Sequence, residues 1–322
     1  MTPKCTKLDF TGQHVFIGMD IAKKSWKVCI YIGPHFHRAF AQPPSTEVLI
    51  KYFHVHLPEA QYHCVYEAGY FGFWIHEKHV EAGSDCIVVN PADVPTARWE
   101  KARKTDRVNA NKLARTLALG SEDQVRRIYV PDRRAQEDRA LVRMRSTLVS
   151  HQTRCKNRVK AFIQYYGIFV PEKISYEHWS RPYIGWLEQV RLRHMSGNIA
   201  FQFLLQDLIA IRQSIAQITR QIRTLAEEPT YSSNVELLCS IPGISRLNAM
   251  VLLTELIDIK RFKSLNTLAS YAGLIPGEHS SGERQIETGM TYRRNTALRY
   301  VIIESSWVDV RRDPALLLCY SR

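Results

Sequence analysis

The 322 residues, 45% of them apolar, suffice for two or three domains with real cores, which excludes a disordered or fibrous chain. Forty-four Lys and Arg against 31 Asp and Glu give a formal charge of +13, a balance that draws polyanions and releases their condensed counterions, so nucleic acid is the leading partner. No apolar run approaches the length of a bilayer span and "MTPKCTKLDF" lacks a signal-peptide core, so the reading is no membrane partner and a cytoplasmic setting.

In chain order, "HVFIGMDI" (14–21) and "WKVCIYI" (26–32) flank the polar "AKKS" and predict a hairpin. "YHCVYEAG" (62–69) predicts a strand, "FGFWIHEKHVEAG" a helix, and "CIVVNP" (86–91) a strand closed by proline. Strands alternating with helices predict an α/β layered domain over residues 1–125. From Arg133 to Lys160, nine Lys and Arg, among them Arg143, Arg154, Arg158 and Lys160, meet only Glu137 and Asp138. That pattern predicts a basic helix whose self-repulsion is relieved by phosphates; the alternative is a solvated face. Phe201, Leu204, Leu208, Ile211, Ile215, Ile218, Ile222 and Leu225 then recur in steps of three and four, a coiled-coil seam that ends before Pro229. The seam packs on the basic helix or on a second copy, a dimer being favoured, and completes a connector over 126–230. "LLCSIPGISRLNAMVLLTEL" (237–256) reads as helix, Pro-Gly turn, helix. This helix-hairpin-helix pattern, with Gly243 in its turn, offers backbone amides to a phosphate without reading bases and opens a mainly α part over 231–322.

The seven cysteines are scattered, without a Cys-x-x-Cys pair, and read as reduced, mostly packed thiols; "HFH", "HVH" and "HEKH" (His76–His79) miss metal-ligand spacing. Acids are more telling. Asp20 closes the first strand in "GMD" and Glu67 closes another in "YEAG", and a carboxylate ending an apolar strand needs solvent or a cation. Asp106 follows in "KARKTDRVNANKLA" (101–114), beside Lys104 and Arg107. Three such acids make an oxygen cluster suited to Mg2+, which binds through a few carboxylates and substrate phosphate oxygens.

The order "GMDIAKKSWKV", "YEAG", "VVNPADV", "KTDRVNANKLA", "IPGISRLNAMVLLTELIDIKRF", "YAGLIP", "SSG" and "RRNTALR" resembles the DEDD-type insertion-sequence transposases, the family of Piv-like invertases and RNA-guided bridge recombinases. The resemblance spans roughly residues 14–305. It implies a RuvC-like (ribonuclease-H-like) amino-terminal domain, a helical connector and a carboxy-terminal transposase domain. Asp20, Glu67 and Asp106 stand where the family's first three acids stand, and Asn109 stands at the fourth. Ser281, in "YAGLIPGEHSSGERQ", matches the family's serine nucleophile, whose attack on a phosphodiester leaves a serine–DNA ester. Arg284, Arg293, Arg294 and Arg299 would steady the phosphate. The implied protein is a DNA transposase or site-specific recombinase that uses Mg2+ as a homodimer or homotetramer, with a structured guide RNA if it is like the RNA-guided members. Two departures stand out. Asn109 keeps an oxygen but loses a charge, and the chain stops at Arg322 where the family pattern continues, so an inactive nucleic-acid-binding copy is one alternative. A metal-only junction nuclease, in which water attacks, is the other.

Overall fold

A computed structural model describes residues 9–94, 106–120, 127–174, 178–281, 284–291 and 294–321; the side chains of 106, 107, 277–281 and 284–288 lie outside that description. The chain divides into two units, Met1–Val130 and Pro131–Arg322.

In the first unit β1 (His14–Asp20) and β2 (Trp26–Ile32) form the expected hairpin, with Gly18 opposite Cys29 and Asp20 opposite Lys27. β3 (His35–Gln42) extends it antiparallel, while β4 (Gln61–Glu67) runs parallel to β1 and β5 (Asp85–Val89) parallel to β4. The sheet order is β3-β2-β1-β4-β5. Successive strand residues face opposite ways, and the two faces carry separate cores. Val15, Ile17, Met19, Cys64, Tyr66 and Val88 pack with Leu49 and Phe53 of α1 (Thr46–His56) and Ile75 of α2 (Trp74–Glu81). On the reverse face Val65, Ile87 and Val89 pack with Leu113 and Leu117 of α3 (Asp106–Ala118), and Cys29 and Tyr31 pack with its Ala110 and Ala114. The sheet is thus a layer between helices. The strand β3 and helix α1 are additions to the sequence reading.

Gly18 sets how close α3 can come. A Cβ built there would stand 2.1 Å from Ala110 O and 2.5 Å from Ala114 N, both backbone atoms that move only with the helix. Gly18→Ala is expected to destabilise the unit by about 2 kcal/mol, the usual scale of overpacking, and to lower the urea midpoint. An unchanged midpoint would mean that α3 gives way freely.

The second unit is built on two long helices, α4 (Arg133–Tyr165) and α6 (Met195–Ala226), with α5 (Arg181–Gln189) beside them. Asp132 caps α4 by accepting from Ala135 N at 2.7 Å. The seam of α6 meets α4 of the same chain: Phe201, Leu205, Leu208 and Ile211 share a core with Cys155, Val159 and Ile163. Farther along, Ile222 and Leu225 join Val142, then Val235 of α7 (Ser232–Cys239) and Ala249 and Met250 of α8 (Arg246–Leu256). The expected connector and carboxy-terminal segment therefore share one core. Beyond α8 come α9 (Leu265–Ala272), the hairpin β6 (Pro276–Ser281) and β7 (Arg284–Met290), α10 (Thr296–Asp309) and α11 (Pro314–Tyr320). Among the described residues no helix is long and apolar enough to cross a membrane.

Candidate functional site

The alternation that separates the two cores also aims the strand-end acids. Asp20 follows Phe16 and Gly18 on the α3 face of β1, and Glu67 follows Val65 on the α3 face of β4. Met19 pairs with Tyr66, so Asp20 and Glu67 lie one residue beyond that pair on adjacent parallel strands, about 4.8 Å apart in such sheets. Both are half-buried. Because Gly18 lets α3 press against β1, Asn109 reaches the first of them, its Nδ2 donating to Asp20 Oδ2 at 3.2 Å. Asp106 is the first residue of α3, one turn before Asn109. Its side chain and that of Arg107 lie outside the described residues, as does Lys104. The donor set is hard oxygen: two carboxylates at neighbouring strand ends and an amide whose Oδ1 comes forward if the group turns over, which suits a small divalent cation.

Among the described residues, histidines and cysteines take no part in this cluster. Cys29, Cys64, Cys86 and Cys155 are buried free thiols; Cys5 lies outside the described residues. His79 is fully buried, its Nδ1 3.8 Å from Cys64 Sγ, and burial followed by the neighbouring His76 pushes its pKa down to about 4.

In the second unit the basic helix proves to be partly neutralised from within. Arg133 pairs with Glu137, Arg134 with Asp138 and Glu228, and Arg145 donates to Thr219 Oγ1 at 3.0 Å. Lys156 and Lys160 stand over the Trp179 ring at 5.7 and 6.0 Å. Arg143, one of the residues expected on phosphate, gives Nε and Nη2 to the two oxygens of Glu255 at 2.6 and 2.7 Å. The reason is burial: Glu255 is wholly enclosed, and Asn295 Nδ2 completes its shell at 2.8 Å. Arg154 and Arg158 remain exposed on α4.

Gly243 has a φ of +84°, and a Cβ there would stand 2.5 Å from Ser305 O of α10. Close packing against α10 is what requires a glycine at this position. Ser281 ends β6 opposite Arg284. Both side chains lie outside the described residues, as does Arg293 altogether. Arg294 is exposed, and Arg299 donates to Met290 Sδ. Sequence reasoning missed Glu255 and Asn295; the available signal was a lone acid inside the apolar "AMVLLTEL".

A family model described as Transposase, of the DEDD IS110 type, matches residues 17–168, and one described as Transposase IS116/IS110/IS902 family matches 235–321. The Sinorhizobium fredii protein y4qE, which bears a transposase name, is 30% identical over 309 residues, covering 92% of this chain and 72% of that protein. The chain belongs to the IS110 transposase family. The transposase for insertion sequence element IS1111A of Coxiella burnetii is 26% identical over 208 residues, 65% of this chain and 55% of its own length. The pilin gene-inverting protein of Moraxella bovis is 41% identical over 70 residues, 21% and 22% of the two chains. The first matched stretch of this IS110-family chain holds Asp20, Glu67, Asp106 and Asn109, and the second holds Ser281 with Arg284, Arg293, Arg294 and Arg299. Membership of the DEDD type implies use of a divalent metal.

Proposed function

We propose that this IS110-family chain is a working transposase that cuts and rejoins DNA through Ser281, assisted by Mg2+ held on Asp20, Glu67, Asp106 and Asn109. The observation that carries the reading is the Asn109–Asp20 contact, which brings a residue of α3 against the end of β1, 89 positions away, beside the end of β4 that carries Glu67. The order β3-β2-β1-β4-β5, with an acid closing each of the two central parallel strands and a helix behind them, supports a RuvC-like assignment for residues 1–125. The turn between α7 and α8 supports a helix-hairpin-helix in 231–322, and the α4–α6 pairing a coiled-coil connector in 126–230.

In this reading Asp20, Glu67 and Asp106 hold the ion with their carboxylates and Asn109 through its amide oxygen. A bound Mg2+ offsets charge on the phosphate. Ser281 Oγ forms a bond to phosphorus while the bond to one bridging oxygen breaks; the serine proton goes to a base and the departing oxygen takes up a proton as a free hydroxyl. The resulting ester retains the bond energy for rejoining. Arg284, Arg293, Arg294 and Arg299 steady the phosphate, and Lys104, Arg107, Arg154, Arg158 and Lys160, with the Gly243 turn, track the backbone. The partners are the element ends and target DNA, and a structured guide RNA, with the protein acting in the cytoplasm as a homodimer or homotetramer.

The test is Mg2+-dependent cleavage of element-end DNA with capture of a covalent protein–DNA product. Cleavage without that product would assign the reaction to water and a metal-only nuclease. Binding without cleavage at any Mg2+ concentration would mark a silent copy, a reading that Asn109 specifically favours. Restoring the fourth charge, Asn109→Asp is expected to tighten Mg2+ binding several-fold in calorimetry. Unchanged affinity would remove residue 109 from the site.

A further inference from the structure

A second group of ligand atoms belongs to the other unit and lies between its two long helices. His151 and Cys155 are four residues apart on α4, so their side chains rise from one face a turn apart, the spacing by which a helix presents two ligands to one ion. Asp207 meets them from α6. Its Oδ2 is 3.1 Å from Cys155 Sγ and 4.0 Å from His151 Nε2, and all three atoms lie within 4.8 Å of one another. Metal–ligand bonds of about 2.0–2.3 Å at tetrahedral angles require ligand atoms roughly 3.3–3.8 Å apart. The separations of 3.1 and 4.0 Å bracket that range.

We propose that His151, Cys155 and Asp207 form a zinc site that ties α4 to α6. The donor set decides the metal. A sulfur, an imidazole nitrogen and one carboxylate oxygen suit a borderline-soft, four-coordinate ion and not Mg2+, which demands octahedral oxygen. Thiolate and carboxylate together cancel the charge of Zn2+, so the site is neutral on a helix already crowded with Arg154 and Arg158. On binding, sulfur exchanges its proton for the metal, and the proton leaves to water. The site has both a fixed wall and an entrance. Cys155 is 2% exposed in the core with Val159 and Leu208, whereas the His151 and Asp207 side chains are 39% and 44% exposed. Three protein ligands leave the fourth position to water on that open side. Asp207 also gains a purpose. It interrupts the apolar run "FLLQDLIAI", and its close partners there are a thiol, a weak donor, and an imidazole beyond hydrogen-bond reach.

The experiment is cobalt titration of the full-length protein after chelator treatment. The expected result is a thiolate-to-cobalt charge-transfer band in the near ultraviolet with strong tetrahedral visible bands, displaced by an equivalent of Zn2+. His151→Gln, a change at a part-exposed position, should weaken cobalt binding at least tenfold while helical circular dichroism stays intact. Cys155→Ala should erase the charge-transfer band, and Asp20→Ala should leave every band unchanged, separating this site from the strand-end acids. Folded protein that shows no thiolate band at millimolar cobalt, or a band that survives Cys155→Ala, overturns the proposal.

Discussion

Ser281→Ala is expected to lower strand cleavage by roughly 10⁴-fold or more and to eliminate the covalent protein–DNA product, because no other group in the proposed site supplies the attacking oxygen. The measurement is a denaturing gel of labelled element-end DNA incubated with Mg2+ and protein. Wild type gives a slowly migrating adduct; the variant gives neither adduct nor cut strand. Mg2+ affinity provides the control, since Ser281 is proposed to attack phosphorus while the carboxylates hold the ion, and it should be unchanged. If the variant still cuts at the wild-type rate, water is the nucleophile and the serine is part of an ordinary polar hairpin.

Arg143→Met is expected to destabilise the second unit by about 3 kcal/mol at neutral pH, since it strands a buried carboxylate. The figure sits at the low end for a broken buried pair because Arg143 is itself 55% exposed and water can reach the gap. In wild type, burial pushes the Glu255 carboxyl up, but hydrogen bonds from Arg143 and Asn295 and the charges of Arg143 and Arg139 outweigh it and hold the pKa below the ordinary value. A lowered folded pKa means that the unfolded chain binds more protons in acid. The pair's contribution is therefore complete above the ordinary carboxylate pKa and fades as pH falls through the lowered one. In Arg143→Met the balance shifts. With burial opposed only by Asn295 and Arg139, the Glu255 carboxyl is expected to titrate higher than in wild type, so the deficit should shrink as pH falls. Urea denaturation at neutral and mildly acidic pH checks the sign; a deficit independent of pH would mean that packing by the Arg143 stem, not its charge, is what is lost.

What could be read in advance follows from how local each signal is. The β1–β2 hairpin, β4, α2 and β5 announce themselves through short apolar runs bounded by turn residues. β3 does not, because an edge strand with four exposed residues at its start, "HFHR", looks polar. Asp20 and Glu67 stand out as acids closing apolar strands, but their shared face follows from register, which no single segment contains. Gly18 is silent for a related reason: its tight neighbour is a helix more than 90 residues on. The basic helix is legible as a helix, but the partial neutralisation of its charge by other segments is not. Its anions, Glu228 and Glu255, come from segments that sequence distance hides.

The 89 positions between Asp20 and Asn109 also bear on how the protein comes into being. Parallel pairing of β1 with β4 and docking of α3 across both are non-local events, the slow kind in chain folding. Asp20 and Glu67 come side by side when β1 pairs with β4, but Asn109 can reach Asp20 only after α3 has left the ribosome and settled on the sheet. A nascent chain, still tethered near its own message and gene, therefore lacks the complete set of proposed metal ligands through the first hundred residues of its synthesis.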